Sequence, residues 1–245
     1  MRYVVYEGSA FGAAFKPPDR IPAETCSRLQ EDAEEFVLTS RGQLWDIDRH
    51  AYAATTDVDV LRSYDIARSL RVSSACVPIF EWIRELFAIP ASIDLLLKDC
   101  FVARYLPTEQ ASLKRHVDGT LLSFVMALSD PAAYEGGETN LGTNTTGYTH
   151  NVRLERGEYV VFPGGLIHHS VLPVTSGARY MLVGFVSLTC ATWISAQRML
   201  STYQDRVKER LSKLDSKGHK PEILKVIADI PSQLMKYDSI LPRRP

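Results

Sequence analysis

The chain has 245 residues, of which 45% are apolar and 23% charged, with a formal net charge of −1 at pH 7. That length buries a substantial core as one large domain or two small ones, and the ordinary composition points to neither a disordered nor a membrane protein. Near neutrality also leaves no global field to gather nucleic acid or an anionic lipid surface, although the segment after Arg198 has more Lys and Arg than Asp and Glu.

The N-terminal stretch Met1 to Phe11 carries Glu7 where a signal peptide needs an unbroken apolar run, and no segment reaches the length of a membrane span. Cys26, Cys76, Cys100 and Cys190 are widely spaced and form no Cys-x-x-Cys pair, so they read as buried thiols. A cytoplasmic or other reducing compartment is the expectation, with neither membrane nor nucleic acid as partner.

Pro22 opens a predicted helix with Cys26, Leu29, Ala33, Phe36 and Val37 on one face and acidic Glu31, Asp32, Glu34 and Glu35 on the other; Gly42 stops it. A weaker helix covers Val60 to Leu70. Ser74 caps another, with Val77, Phe80, Ile83 and Phe87 at helical spacing and Pro90 as its end. Strand signals follow at Cys100 to Leu106, Leu121 to Leu128, Val152 to Glu155, Glu158 to Phe162, Ile167 to Leu172 and Arg179 to Leu188. Leu121 to Leu128 is almost continuously apolar, as a strand covered on both faces should be, so a helical layer is expected over one sheet.

The Gly, Thr and Asn-rich stretch from Ser129 to Asn151 reads as a long functional or mobile loop. Beyond the strands, Trp193, Gln197, Leu200, Tyr203, Val207, Leu211 and Leu214 form a helical stripe, and Pro221 opens a further helix through Ile223, Ile227 and Ile230. The stripe covers either the barrel of its own chain or a second copy, which leaves a monomer or a homodimer open. The expected whole is an α+β sandwich or barrel in a single domain over 1–245. Its helical part is 1–92, its barrel core about 95–189 and its helical extension 190–245.

The chemistry concentrates between His116 and Arg179. His116 and Asp118 form a His-x-Asp pair between two strands, where side chains two residues apart face the same way. A lone pair of this kind is weak, but His168 and His169 follow, and two histidines with one carboxylate leave one face of a ferrous ion open for oxygen. Adjacent strand residues point to opposite faces, so only one of His168 and His169 joins the set. Arg179 supplies a planar counter-charge for a dicarboxylate beside the metal, a role lysine fills less well.

The segment Glu158-Tyr-Val-Val-Phe-Pro-Gly-Gly-Leu-Ile-His-His-Ser-Val-Leu-Pro-Val-Thr-Ser-Gly-Ala-Arg-Tyr180 resembles the distal half of the prolyl 4-hydroxylase-like iron(II) and 2-oxoglutarate oxygenases. There a strand ending in Phe-Pro precedes His-x-Val-x-Pro-Val-Thr-x-Gly-x-Arg. Tyr134-Glu-Gly-Gly-Glu-Thr139 resembles their Gly-Gly-Glu element, and the likeness covers about Phe101 to Leu188. It implies a double-stranded β-helix, a jelly-roll or cupin-like barrel, with N-terminal helices on one sheet and C-terminal helices beyond.

By the same resemblance His116, Asp118 and His169 are the iron ligands, since the frame begins at His169, and Arg179 binds the distal carboxylate of 2-oxoglutarate. Tyr105 resembles the strand tyrosine that hydrogen-bonds the co-substrate, and Thr175 shapes a turn. Fe(II), 2-oxoglutarate and O2 are the implied cofactors, with ascorbate as a reductant and no catalytic residue beyond the ligands. Asp118 argues against halogenation, which needs the carboxylate position for halide. Phe185 stands where the alkylated-base dealkylases carry a second arginine. The expected reaction is C–H hydroxylation, with a prolyl residue in a peptide as the family default and Trp45 to Val60, including Ala-Thr-Thr-Asp-Val-Asp-Val at 54 to 60, loosely resembling an N-terminal segment of the small prolyl hydroxylases. A free amino acid or other small molecule, or a non-catalytic peptide-binding barrel, are the alternatives.

Overall fold

The computed structural model describes residues 16–17, 19–39, 45–50, 53–87, 89, 91, 94–142, 149–165 and 167–188. The expected C-terminal helices, Cys190 and the first fifteen residues lie outside the described residues.

Helix α1 (Ala23–Thr39) starts where Pro22 accepts a hydrogen bond from the Cys26 N–H at 3.2 Å, and Cys26, Leu29 and Ala33 are fully buried. Asp32 departs from the expected solvent-facing acidic row. It is fully buried, and Arg71 donates to its two oxygens from Nε and Nη2 at 2.6 and 2.7 Å. Asp32 stands one turn from Leu29, at the border of the apolar stripe, so the packed helix covers it and brings the required counter-charge.

The helices expected over Val60 to Leu70 and from Ser74 are partitioned differently, as a short α2 (Val60–Ser63) and a long α3 (Ile66–Phe87). The Asp59 carboxylate accepts from the N–H groups of Leu61 and Arg62 at 2.9 and 3.1 Å, and the Asp65 carboxylate accepts from the Arg68 N–H at 2.9 Å. Asp65 therefore caps α3 nine residues ahead of Ser74, which lies inside the helix with Pro78. Pro78 has no N–H to donate and is accommodated inside the helix.

The strands are β1 (Asp57–Asp59), β2 (Leu95–Tyr105), β3 (Leu113–His116), β4 (Leu122–Ala127), β5 (Tyr134–Gly136), β6 (Thr139–Gly142), β7 (Thr149–Val152), β8 (Tyr159–Phe162), β9 (His168–Val171), β10 (Val174–Gly177) and β11 (Arg179–Leu188). They form one sheet in the order β1-β2-β11-β4-β8, a second in the order β3-β9-β6-β7, and a β10-β5 pair, all antiparallel. This is the double-stranded β-helix. On the larger sheet, Cys100, Val102, Phe124, Met126 and Leu182 join Leu29, Ile79 and Ile83 of the helices in one buried cluster. Alternation sends Phe101, Tyr105, Val125, Met181 and Val183 to the other face, where they line a cavity between the sheets.

The stretch 129–151 is not one long loop. It holds β5, β6 and most of β7, with 143–148 outside the described residues. Its glycines and asparagines read as loop, yet β10 and β9 supply the hydrogen bonds that make these short segments strands. The strand expected to begin at Val152 instead ends there, because the chain turns through Gly157 at φ +80° and Glu158 N–H bonds Glu155 C=O at 2.9 Å. Cys26, Cys76 and Cys100 are buried free thiols, and burial pushes Cys26 up to about 11. No helix among the described residues is long and apolar enough to cross a membrane.

Candidate metal centre

Strands β3 and β9 run antiparallel with His116 directly opposite His169, so both imidazoles project from the same face of the smaller sheet. Asp118, two residues past the end of β3, is anchored by its own N–H to the Gly164 carbonyl at 3.0 Å. A Cβ on Gly164 would run into the Ser123 hydroxyl and stand 3.0 Å from Asp118 Cβ, so a larger residue could not make this approach.

The Nε2 atoms of His116 and His169 each lie 3.4 Å from Asp118 Oδ1, and one donor atom from each residue falls within 4.8 Å of the others. The opposite ring nitrogens are engaged: His116 Nδ1 meets the Lys114 carbonyl at 2.8 Å, and His169 Nδ1 meets the Ile167 carbonyl at 3.0 Å. A carbonyl only accepts, so each Nδ1 carries a hydrogen and Nε2 is the ring nitrogen turned toward Asp118. Ser123 donates to the remaining Asp118 oxygen at 2.5 Å. This is the ligand-plus-orienting-partner arrangement of a metal site.

Burial alone would raise the Asp118 carboxyl, but the His169 charge and hydrogen bonds from His116, His169 and Ser123 outweigh it and hold Asp118 well below the usual carboxylate range. His169 is shifted the other way: burial disfavours its cation, and the Asp118 charge and hydrogen bond with the Ile167 carbonyl more than compensate. A nearly buried carboxylate faced by two imidazoles thus has a strong demand for a positive charge. Two nitrogens and one oxygen with open positions suit ferrous iron.

Arg179 begins β11 directly opposite Tyr105 on β2, with its guanidinium 5.5 Å from the Tyr105 ring centroid. It is 2% exposed, and Nη2 donates to Thr139 Oγ1 at 2.7 Å while Nε and Nη1 are buried without hydrogen-bond partners. Burial lowers the proton affinity of Arg179, which nearby Tyr134 and Tyr105 partly offset. Burial likewise pushes Tyr105 up to about 12, which keeps its hydroxyl protonated. Orphaned donors on a buried cation call for an anionic acceptor.

His116, Asp118, His169, Arg179 and Tyr105 all line one cavity of about 280 Å³. His168 is half-buried and absent from that lining, and it alternates in facing with His169, which is buried. Thr175 is exposed in β10, away from the site. Sequence reasoning did not single out Ser123, Thr139, Arg49 or His50, which serve the cavity or line it. Ser123 had a legible signal, as the polar residue in an otherwise apolar strand, and Thr139 closes the Gly-Gly-Glu-Thr element. Arg49 and His50 lie in the Trp45 to Val60 stretch, whose loose resemblance singled out no site residue.

Residues 100–187 match the model of the 2OG-Fe(II) oxygenase superfamily. The chain is similar to a PKHD-type hydroxylase of Hyphomonas neptunium, 35% identical over 117 residues that make up 48% of this chain and 49% of the relative. It is also similar to procollagen-lysine,2-oxoglutarate 5-dioxygenase 1 of Homo sapiens, 40% identical over 168 residues, 66% of this chain and 22% of the relative. The chain thus spans about half or less of the length of these curated relatives. Among solved structures, a Pseudomonas putida prolyl-4-hydroxylase shares the fold with a TM-score of 0.53 and 19% identity, covering 71% of this chain and 91% of that one. AviO1 from Streptomyces viridochromogenes does so with a TM-score of 0.56 and 15% identity, covering 74% and 91%.

Proposed function

We propose, from the premise that residues 100–187 form a prolyl 4-hydroxylase-like barrel of the 2OG-Fe(II) oxygenase superfamily, that this chain hydroxylates a C–H bond of a peptide or protein. The single observation that carries the reading is the pair of unpartnered donors on buried Arg179, a residue that lines the same cavity as the two-histidine, one-carboxylate cluster. A metal site alone suits many reactions; a metal site with a buried cation awaiting a carboxylate suits a dicarboxylate co-substrate.

His116, Asp118 and His169 would hold the ferrous ion, and Arg179 with Thr139 and Tyr105 would hold 2-oxoglutarate. When bound, the iron with 2-oxoglutarate and O2 supplies the oxidising power for hydroxylation. The chain's own contribution is geometric. The Lys114 and Ile167 carbonyls set the two imidazoles, Ser123 fixes the carboxylate rotamer, and the protonated Tyr105 hydroxyl offers a hydrogen bond rather than a charge. Apolar Leu113, Val125, Val171 and Met181 keep water from the co-substrate. The reading includes one domain over the whole chain, ascorbate as reductant, a cytoplasmic location, and a monomer or a homodimer through the C-terminal helices.

The test is an anaerobic mixture of the protein, ferrous ion and 2-oxoglutarate, exposed to air with capped prolyl and lysyl peptides. Succinate and a hydroxyl mass increment on a peptide are expected. No succinate with any substrate, together with no metal held at His116, Asp118 and His169, would overturn the reading.

A further inference from the structure

Arg179 takes its aim from one stretch of chain. Its Nη2 donates to Thr139 Oγ1 at 2.7 Å, and with Nε and Nη1 unpartnered the rest of its placement comes from packing. A Cβ on Gly137 would stand 3.1 Å from Arg179 Cδ and 3.4 Å from Tyr134 Cε2, so the arginine stem and the Tyr134 ring flank that glycine. Tyr134, Gly137 and Thr139 all belong to 131–139. Tyr134 in β5 also lies opposite Gly177 of β10, two residues before Arg179, and the Gly137 N–H donates to the Pro173 carbonyl at 3.0 Å.

Arg153, one residue beyond β7, ties this stretch together. Its Nη2 donates to the Pro131 and Tyr134 carbonyls at 2.7 and 2.8 Å. Its Nη1 donates to the Gly136 carbonyl at 2.8 Å and to Glu138 Oε1 at 3.3 Å. Its Cζ lies 4.6 Å from the Tyr134 ring centroid. The Arg153 side chain is 34% exposed, whereas Tyr134 and Thr139 are buried.

An arginine this exposed contributes little through an ion pair alone. Three of these four acceptors, however, are main-chain carbonyls of one turn, which a planar fork reaches together and a point charge does not. The guanidinium on the Tyr134 face adds a cation–π contact to the same turn. None of these contacts involves His116, Asp118 or His169, and Arg153 does not line the cavity. The side chains it steadies are those around Arg179.

We propose that Arg153 is a positioning residue for the co-substrate. By clamping the turn from Pro131 to Glu138 it fixes the Tyr134 ring, Gly137 and Thr139, against which Arg179 is aimed, and so sets the affinity for a distal carboxylate that it does not touch. The assignment rests on the oxygenase reading above.

The test uses the full chain with Mn(II) and compares 2-oxoglutarate with oxalate, which offers a metal a chelating pair of oxygens but has no distal carboxylate. Calorimetry of the parent chain comes first; absence of 2-oxoglutarate binding there would overturn the oxygenase reading, and this assignment with it. Arg153→Met is expected to weaken 2-oxoglutarate about 10-fold, the scale of one misdirected charge-assisted hydrogen bond, and to leave Mn(II) and oxalate affinities unchanged. A general loosening of the barrel would weaken all three. Arg153→Lys keeps the charge beside the Tyr134 ring and loses the fork, so it is expected to fold as the parent does and to show the same selective loss at a smaller size. Unchanged 2-oxoglutarate affinity in these variants, or an equal loss of oxalate, would overturn the positioning role and leave the oxygenase reading standing.

Discussion

The two sheets of the barrel are built from different material. The larger one has long strands with apolar residues on both faces, and Leu122, Phe124 and Met126 are fully buried under the helices. The smaller one has strands of four residues and carries His116 and His169. The buried core therefore concentrates on one sheet and the two histidines of the proposed metal site on the other. Arg179 and Tyr105 form the exception: they are the proposed anchor for the co-substrate, they belong to the larger sheet, and they line the same cavity as His116 and His169. A site shared in this way depends on how the sheets are spaced, which the buried core fixes.

The sharpest way to break this division is a crossed pair of substitutions. His169→Ala is expected to abolish tight binding of ferrous ion, while His168→Ala leaves it in place, both measured by metal titration. Phe124→Ala should do the reverse. It lies on the face of β4 away from cavity-lining Val125, and its loss is expected to destabilise the fold by about 3–5 kcal/mol in denaturant unfolding. Metal affinity of the remaining folded protein should be unchanged. If Phe124→Ala weakened metal binding as much as His169→Ala does, the two sheets would not be separable.

Arg179→Lys tests the exception. Lysine keeps the charge but loses the planar fork whose Nη2 meets Thr139 and whose other two nitrogens are unpartnered. Affinity for 2-oxoglutarate is expected to fall about 10- to 100-fold, with metal affinity unchanged. A smaller loss is expected from Gly137→Ala. Gly137 has φ +70°, and a Cβ there would come within 3.1 Å of Arg179 Cδ and 2.7 Å of Val174 Cγ2, so the arginine would be displaced rather than removed. Equal metal and co-substrate losses in these variants would show that Arg179 supports the fold and not the ligand.

The same contrast explains what could be read from the sequence. Continuous apolar runs announced β4, β8 and β11, because strands covered on both faces need apolar residues throughout. The short strands β3, β5, β6 and β10 were not legible, since their hydrogen bonds come from partners distant in sequence; Gly, Asn or Thr in β5, β6 and β10 mimics a loop, and β3 is the mostly charged run Leu-Lys-Arg-His. Within the site, His116, Asp118, His169 and Arg179 stood in a dense motif; period-2 alternation admitted only one of His168 and His169, and the frame of the resemblance chose His169. Arg49 and His50 could not be found that way. Their place depends on Asp57 and Asp99, which are 8 and 50 residues away from Arg49 in the chain.

Ser123 is where the two sheets meet most directly, and its substitution carries the smallest effect. It sits in β4 of the larger sheet, yet its hydroxyl donates to Asp118 at 2.5 Å. Ser123→Ala removes that donor and leaves the strand's apolar packing intact. Loss of a ligand's orienting partner points to a fall in metal affinity of about 10-fold, at the low end because His116 and His169 still face the carboxylate. The metal-free protein gives an independent readout. The Asp118 carboxyl is held below its unfolded value, so it contributes stability above the unfolded carboxyl range that is lost as pH falls through the folded value. Removing the Ser123 hydrogen bond raises the folded value toward the unfolded one, so that contribution is smaller at neutral pH and its loss is complete at a higher pH. Acid unfolding of the variant should therefore start earlier than in the parent chain, with the two curves converging once the carboxyl is protonated in both states. Identical acid profiles would mean that the hydroxyl only fills space beside Asp118.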